Sequence, residues 1–433
     1  MLELGFAAAD ITPTIGMEMP GGFGKLISKG VRDKLWAVAC VVTDGKTPLA
    51  LVGIDALFVT RPTVEHARRL IQTATKIPSE NVLIGANHTH TGGPVASCFG
   101  SDENPEYTDK VAKQIAAAVA DAWGLKKPSE TGVGVGKEEG VAFNRRFLMR
   151  DGREITHPGK PGTPHHKEIV RPAGPADPDV GVLAARDEKG KVFGIVVNFT
   201  CHSTVVGGDQ FSPDYAGYLR RHLKVRYGEE TPVVFLLGAC GDLTQVDNRA
   251  EGSEFGPDYA DMIGRKLAGE TIRVVNRMSW LKDATTAAAV ELAAVDIRLD
   301  PDVARERPAF GLGSGDYAER VYEPERKKVA EERKKNPKLL TEVQGLRIGP
   351  LSIASNGAEY FVEHALRIKE CATFKPTWVV SLANDYIGYV PTAQAFVAGG
   401  YEPRTARSSK LAIDAGQRLI ESAVKVLNKL GPK

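Results

Sequence analysis

Long apolar runs are missing from this sequence. No uninterrupted span approaches the roughly 20 predominantly apolar residues that a bilayer-crossing helix needs, and no basic amphipathic helix or apolar anchor replaces one. Cysteine is sparse: Cys40, Cys98, Cys201, Cys240 and Cys371 are odd in number, far apart and never spaced as CxxC. That pattern excludes a disulfide framework and a thiolate zinc site, and leaves reduced, mostly buried thiols. An excess of either charge is absent too, with 56 Lys and Arg against 54 Asp and Glu. A near-neutral chain carries no electrostatic footprint for nucleic acid or an anionic membrane, and argues for a small-molecule or neutral substrate. The start, MLELGFAAADITP, has no basic n-region and no long apolar h-region. As it stands it is not a signal peptide, which fits a cytoplasmic protein or one exported after removal of a leader. Neither GxSxG nor GxxxxGK[ST] nor GxGxxG occurs, and GGFG at 21–24 matches none of them, so a serine nucleophile elbow and a phosphate cradle lack support. No repeat of 20 to 50 residues stands out.

What remains is an ordinary globular composition, 42% hydrophobic and 25% charged over 433 residues, long enough for a large core. WAVACVVTD (36–44) and LALVGIDA (49–56) read as a hairpin, followed by a helix over 63–74 and a short buried strand NVLIGA (81–86). An Ala-rich amphipathic helix is expected over 107–123. Residues 151–178 are dense in Pro and Gly and read as a long loop or lid, with His157, His165 and His166 as solvated loop histidines outside any site. The rhythm then resumes with strands at 181–187, 192–202 and 233–242 and helices over 214–226 and 257–275. A half-exposed strand is expected at 289–299 and a solvated charged helix or connector at 316–335. An apolar run follows at 346–355, a helix over 359–371, a strand at 378–385 and a closing helix over 408–430. Strands alternating with helices give an α/β fold with largely buried sheets.

The candidate chemistry starts at ANHTHTGG (86–93), which ends an apolar run with two histidines two residues apart. In an extended segment that spacing aims His88 and His90 to one side, a common way to present imidazoles to a transition metal. The same eight residues also suit a loop whose histidines bond to backbone. Other ligand-type residues likewise follow apolar runs: His202, Asp242, Glu359, Asn384, Asp385, Tyr386 and Tyr389. Singly, each reads as a strand-end residue capping the next helix. Jointly, they mark one edge of a sheet where two histidines and a glutamate would supply a catalytic zinc set and leave a position for water. A neutral His or a Tyr would pass protons there and an Arg would hold an oxyanion. Cys201 beside His202 reads as a buried strand residue.

In order and spacing, AADITPTIGMEMPGG, NHTHTGG, FNRR (143–146), DPDVGVL, NFTCHST, GACGD and ANDYIGYVPT resemble the motifs of the neutral, non-lysosomal ceramidase superfamily. That resemblance implies a zinc amidase whose activated water attacks an N-acyl linkage. It implies His88, His202 and Glu359 as three zinc ligands and Tyr389 as the tyrosine completing the shell. It also implies His90, Arg145 and Tyr401 as groups that contact the substrate or transition state. Tyr401 lies twelve residues past Tyr389, the family's offset between two active-site tyrosines, which favours Tyr389 over Tyr386 as ligand. The chain departs from the family where Gly357, Ala358 and Glu359 stand in place of Pro-Gly-Glu, and where AQAFVAGGYEP replaces a Glu- and Tyr-rich stretch. The expected architecture is one neutral-ceramidase-like catalytic domain over 1–433, with mixed sheets flanked by helices and no C-terminal immunoglobulin-like domain. Its expected substrate is a small N-acyl or ester compound, lipids included, and its expected cofactor Zn2+. Two alternatives accompany this reading: a two-metal phosphoester hydrolase with Asp242 and Asp385 as extra carboxylates, and a non-catalytic metal-binding or scaffold protein.

Overall fold

A computed structural model describes residues 2–299 and 307–431. Its largest sheets repeat one plan three times. In the first, Glu3–Asp10, Trp36–Thr43 and Leu49–Ile54 run antiparallel, and the helix Arg61–Thr75 then crosses over to Val82–Ala86, which pairs parallel to Leu49–Ile54. In the second, Glu130–Lys137, Asp179–Arg186 and Val192–Phe199 run antiparallel, and Tyr215–Tyr227 crosses over to the parallel strand Val233–Leu237. In the third, Thr286–Asp296, Lys338–Ile348 and Leu351–Ser355 are followed by the crossover helix Val362–Cys371 and the parallel strand Thr377–Val380. Each unit is followed by a further helix: Pro105–Gly124, Pro257–Val275 and Ala415–Asn428. Antiparallel neighbours need only short turns, whereas a parallel partner needs a crossover, so each unit places one helix between its last two strands.

The three sheets share one apolar core. Leu51, Leu83 and Cys40 of the first meet Val196, Val234 and Leu236 of the second and Ile353, Trp378 and Val380 of the third, all buried. The opposite face of each sheet packs on its own helices, in three further clusters. Sheets 1 and 2 approach so closely at Gly53 that an added Cβ would lie 2.3 Å from the Phe235 carbonyl oxygen, a distance only glycine allows. Leu49–Ile54 and Leu351–Ser355 are buried along their whole length, and Trp36–Thr43 and Val192–Phe199 at all but one residue, which is why such strands read as largely apolar runs.

The loops that leave the parallel pairs are stitched together. Ser381 N–H donates to Leu237 O (3.0 Å), Gly241 N–H to Tyr360 O (2.9 Å), and Asn384 N–H to Ile84 O (2.9 Å). Asn384, left-handed at φ +63°, also accepts from Ile84 N–H through Oδ1 at 2.9 Å. Its amide nitrogen donates to Glu342 (3.0 Å), whose carboxylate forks with buried Arg68 at 2.8 and 2.9 Å. Three strand-end regions far apart in sequence thereby become one rigid junction.

Several expectations change. The 346–355 run is two strands, because Gly349 takes φ +57° and turns the chain between them. Glu359 does not open a helix; it lies in a short strand Ala358–Tyr360, and the helix begins at Val362. The last helix is Ala415–Asn428, shorter than 408–430, because Arg404, Arg407 and Lys410 hold the preceding segment against the helix Gly315–Lys335 through Glu319, Glu325 and Glu332. That charged helix is anchored by those pairs, with Tyr322 and Glu325 buried beneath it. The 151–178 segment is not simply a lid: Glu154–Thr156 and Ile169–Pro172 flank Arg146–Met149 in a small sheet, and Glu154, Ile155 and Thr156 are buried. The triple plan carries no sequence period, since burial and pairing require only apolar character, which each unit meets with different residues.

Candidate metal centre

His88 and His202 arrive from different units, one after the parallel strand of the first and one after the central strand of the second. His88 Nδ1 lies 2.7 Å from Leu57 O, and His202 Nδ1 lies 2.7 Å from Cys240 O and 3.1 Å from Leu243 O. A carbonyl oxygen can only accept, so both Nδ1 atoms carry a proton, and in the neutral ring Nε2 is then the atom with the lone pair. Those Nε2 atoms face each other at 3.1 Å. Glu359 Oε2 joins them at 3.2 Å from His88 and 3.5 Å from His202. Among the described residues it has no hydrogen-bond partner, and all three side chains are sealed at 4% exposure or less.

Burial and Arg145 push the His202 imidazole down to about 4, so it is neutral near pH 7. Three buried acceptors converge with no proton assigned between them, an arrangement that repels itself unless a cation sits among them. The residues therefore fit a metal ion. His90 completes the surroundings: the ring nitrogens of His88, His90 and His202 lie within 4.8 Å of one another and could hold a metal ion. Its buried Nε2 has no hydrogen-bond partner among the described residues. Burial, then the neighbouring His88 and His202, lowers its imidazole well below the ordinary value.

The way His88 and His90 share the site differs from the extended-segment expectation. The strand stops at Ala86, and His88 is left-handed at φ +65°, a conformation uncommon outside glycine. The turn, not a two-residue period, brings the two rings to 4.9 Å. Gly21 at φ +133° lies against the other side of His90, where an added Cβ would sit 2.8 Å from Nδ1.

Glu359 and Tyr389 are register partners in a two-stranded parallel pair, which sets both side chains on one face. The other Glu359 oxygen, Oε1, accepts from Tyr386 Oη at 2.8 Å, and the Tyr386 ring stacks on Phe58 with centroids 3.6 Å apart. Tyr389 Oη accepts from Arg145 Nη2 at 3.1 Å. Tyr401 meets the Tyr389 ring edge-on at 5.8 Å, and Arg145 Cζ lies 5.6 and 5.8 Å from the two rings. His88, His90, His202, Glu359, Tyr389, Arg145 and Tyr401 thus fall in one connected cluster.

Asp242 and Asp385 take up different work. Asp242 accepts from Val362 N–H (2.9 Å) and Asn144 Nδ2 (2.8 Å), and Asp385 from Arg61 N–H (3.2 Å) and Tyr386 N–H (2.7 Å). Both carboxylates cap the first residue of a crossover helix. Of the loop histidines, His165 is exposed and stacks on Phe310. His157 departs from the solvated expectation. Its backbone N–H donates to Arg145 O (2.9 Å), and its ring Nδ1 lies 3.0 Å from Asn248 Oδ1.

Glu402 was missed by motif reading. Fully buried, it takes Arg145 Nε at 2.9 Å, Arg146 Nη1 at 2.6 Å and Thr156 Oγ1 at 2.8 Å. Burial opposes its ionisation, but Arg146 and Arg145 hold its carboxyl below the ordinary value. The signal available was its place beside Tyr401 and the need of two adjacent buried arginines for an anion.

Three antiparallel-then-parallel units around a shared core, with this cluster at their junction, define a neutral-ceramidase-like fold. The neutral ceramidase from Pseudomonas aeruginosa superposes with a TM-score of 0.73 at 20% identity, over 100% of this chain and 75% of that one. A ceramidase complexed with C2 gives 0.74 at 18% identity, over 100% of this chain and 76% of that one. No family model and no curated protein matches the sequence. Among the described residues no helix is long and apolar enough to cross a membrane.

Proposed function

We propose that this protein is a zinc-dependent amidohydrolase that cleaves a linear N-acyl bond. The observation that carries the reading is the convergence of His88 Nε2, His202 Nε2 and Glu359 Oε2 in a sealed pocket of lone pairs. An N2O donor set suits Zn2+, and Tyr389, beside Glu359, is the fourth group that would hold it. Bound there, zinc would supply Lewis acidity and lower the pKa of the attacking water to about 7.

The chain's own groups do the rest. Arg145 spends Nε on Glu402 and Nη2 on Gly241 O (2.7 Å) and Tyr389, which leaves Nη1, without a partner among the described residues, to receive an acyl oxygen as it gains negative charge. His90 offers an unpartnered Nε2 that can move a proton to the departing nitrogen. Tyr401, edge-on to Tyr389, closes the side of the site next to Arg145. In the net reaction the C–N bond breaks, the water oxygen joins the acyl carbon, and the products are a carboxylate and an amine. The two solved ceramidases of this fold support an N-acyl lipid as one substrate class to test.

The test combines metal analysis with a substrate screen. Purified protein is expected to carry one zinc per chain and to hydrolyse N-acyl amino alcohols, with turnover abolished by a chelator and restored by zinc. p-Nitrophenyl esters should be cut and bis(p-nitrophenyl) phosphate should not. Folded, metal-replete protein without stoichiometric zinc would sink the reading, as would His202→Ala retaining full metal.

A further inference from the structure

Resting on the amidohydrolase reading, we propose that Glu402 is a positioning residue, which holds the Arg145 guanidinium so that Nη1 faces the reacting carbonyl. A guanidinium has five N–H groups in one rigid plane. Three are committed: Nε to Glu402 Oε1 (2.9 Å), and the two on Nη2 to Gly241 O (2.7 Å) and Tyr389 Oη (3.1 Å). The two on Nη1 have no protein partner among the described residues. Fixing Nε and Nη2 fixes the plane, and the plane dictates where Nη1 points.

Glu402 is built for that task. Its Oε2 is clamped by Arg146 Nη1 (2.6 Å) and Thr156 Oγ1 (2.8 Å), which leaves Oε1 to Arg145. Were the carboxylate present only to neutralise Arg146, it would be redundant, since Arg146 already pairs with Glu154 at 2.7 Å and donates to Gly399 O. Arg145 has Glu402 as its ion-pair partner and no other carboxylate at pairing distance among the described residues. The link spans from residue 145 to 402, so it also ties the small sheet beneath Arg146 to the segment carrying Tyr401.

A group that aims a transition-state contact acts on kcat more than on KM. Glu402→Gln keeps the shape but removes the charge, and zinc-loaded Glu402→Gln should lose about 10- to 100-fold in kcat, with KM within about threefold. It should still bind one zinc. Glu402→Asp, which restores the charge on a shorter arm, should recover part of the loss. The decisive comparison is with Arg145→Gln: the double variant should be no slower than Arg145→Gln alone, because both lesions remove one contact. Multiplying losses would overturn the proposal, as would full kcat in Glu402→Gln or loss of zinc in parallel with activity. If the wild type hydrolyses none of the N-acyl substrates, the reaction assignment fails while the positioning claim is still read by NMR. The Arg145 Nε–H should be protected from hydrogen exchange in wild type and unprotected in Glu402→Gln, and equal protection in both would reject it.

Discussion

His88 and His202 point their Nε2 atoms at one another across 3.1 Å, and each ring spends its Nδ1 proton on a backbone carbonyl. With Glu359 Oε2 beside them, the folded chain holds an arrangement that a cation relieves and an empty site leaves strained. Stability should therefore depend on metal. Zinc that binds only the folded state adds about 4 kcal/mol at a free concentration ~1,000 times its Kd. Calorimetry is expected to show a melting temperature several degrees lower after chelation and restored by zinc; identical melts with and without the chelator contradict the centre.

Tyr386 supplies a second test. Its hydroxyl donates to Glu359 Oε1 at 2.8 Å while its ring stacks on Phe58, so Tyr386→Phe removes the hydrogen bond and keeps the packing. Partners that orient metal ligands in this way are worth about 10- to 100-fold in affinity or activity. Competition with a chromogenic chelator should show zinc affinity reduced by that factor in Tyr386→Phe, with the melting temperature of the metal-free protein nearly unchanged.

The strands and most helices were legible because sheets buried on both faces leave apolar runs, and the segments ending in His88, His202 and Asp242 could be placed from those runs alone. Ligand candidates were legible for the same reason: a polar residue directly after an apolar run has to sit at a sheet edge. Three things were not. The turn at His88 depends on a left-handed residue that the pattern NHTH does not announce. Glu402 matters through a contact with a residue 257 positions away that local spacing does not announce, and Tyr386, although marked as a strand-end candidate, finds its partner Glu359 only in the fold. The 151–178 stretch reads as a loop because it is dense in Pro and Gly, whereas the order of its two strands comes from Arg146 buried between Glu154 and Glu402.

His157 provides a pH test away from the proposed ligands. Burial, then the neighbouring Arg145, drives its imidazole down to about 4 from an ordinary value of 6.5. Between those limits the unfolded chain binds a proton that the folded chain refuses, so stability rises with pH through the window and is flat above it. His157→Gln removes the titration. Urea midpoints at several pH values should show wild type losing stability relative to the variant as pH falls from 6.5 towards 4. The loss should be on the order of 2 kcal/mol, after a discount for the part of the ring that meets solvent. A difference that does not change with pH removes His157 as its source.

Asp242 separates a one-metal centre from a two-metal one. Its carboxylate already serves Val362 N–H and Asn144 Nδ2, and burial raises its pKa to about 6 despite those bonds. A carboxyl kept partly protonated near neutrality and occupied on both oxygens is a poor ligand for a second cation. Asp242→Asn would set its amide against Asn144 Nδ2, donor against donor. Asn144 cannot flip without losing its bonds from Arg146 N–H and to Pro175 O. The variant should therefore lose about 1–3 kcal/mol of stability and keep one zinc per chain. Wild type with two ions per chain, one of which disappears in Asp242→Asn, would move the chemistry to phosphoester cleavage. One ion in both, with the stability loss alone, leaves Asp242 as the cap of the helix behind Glu359.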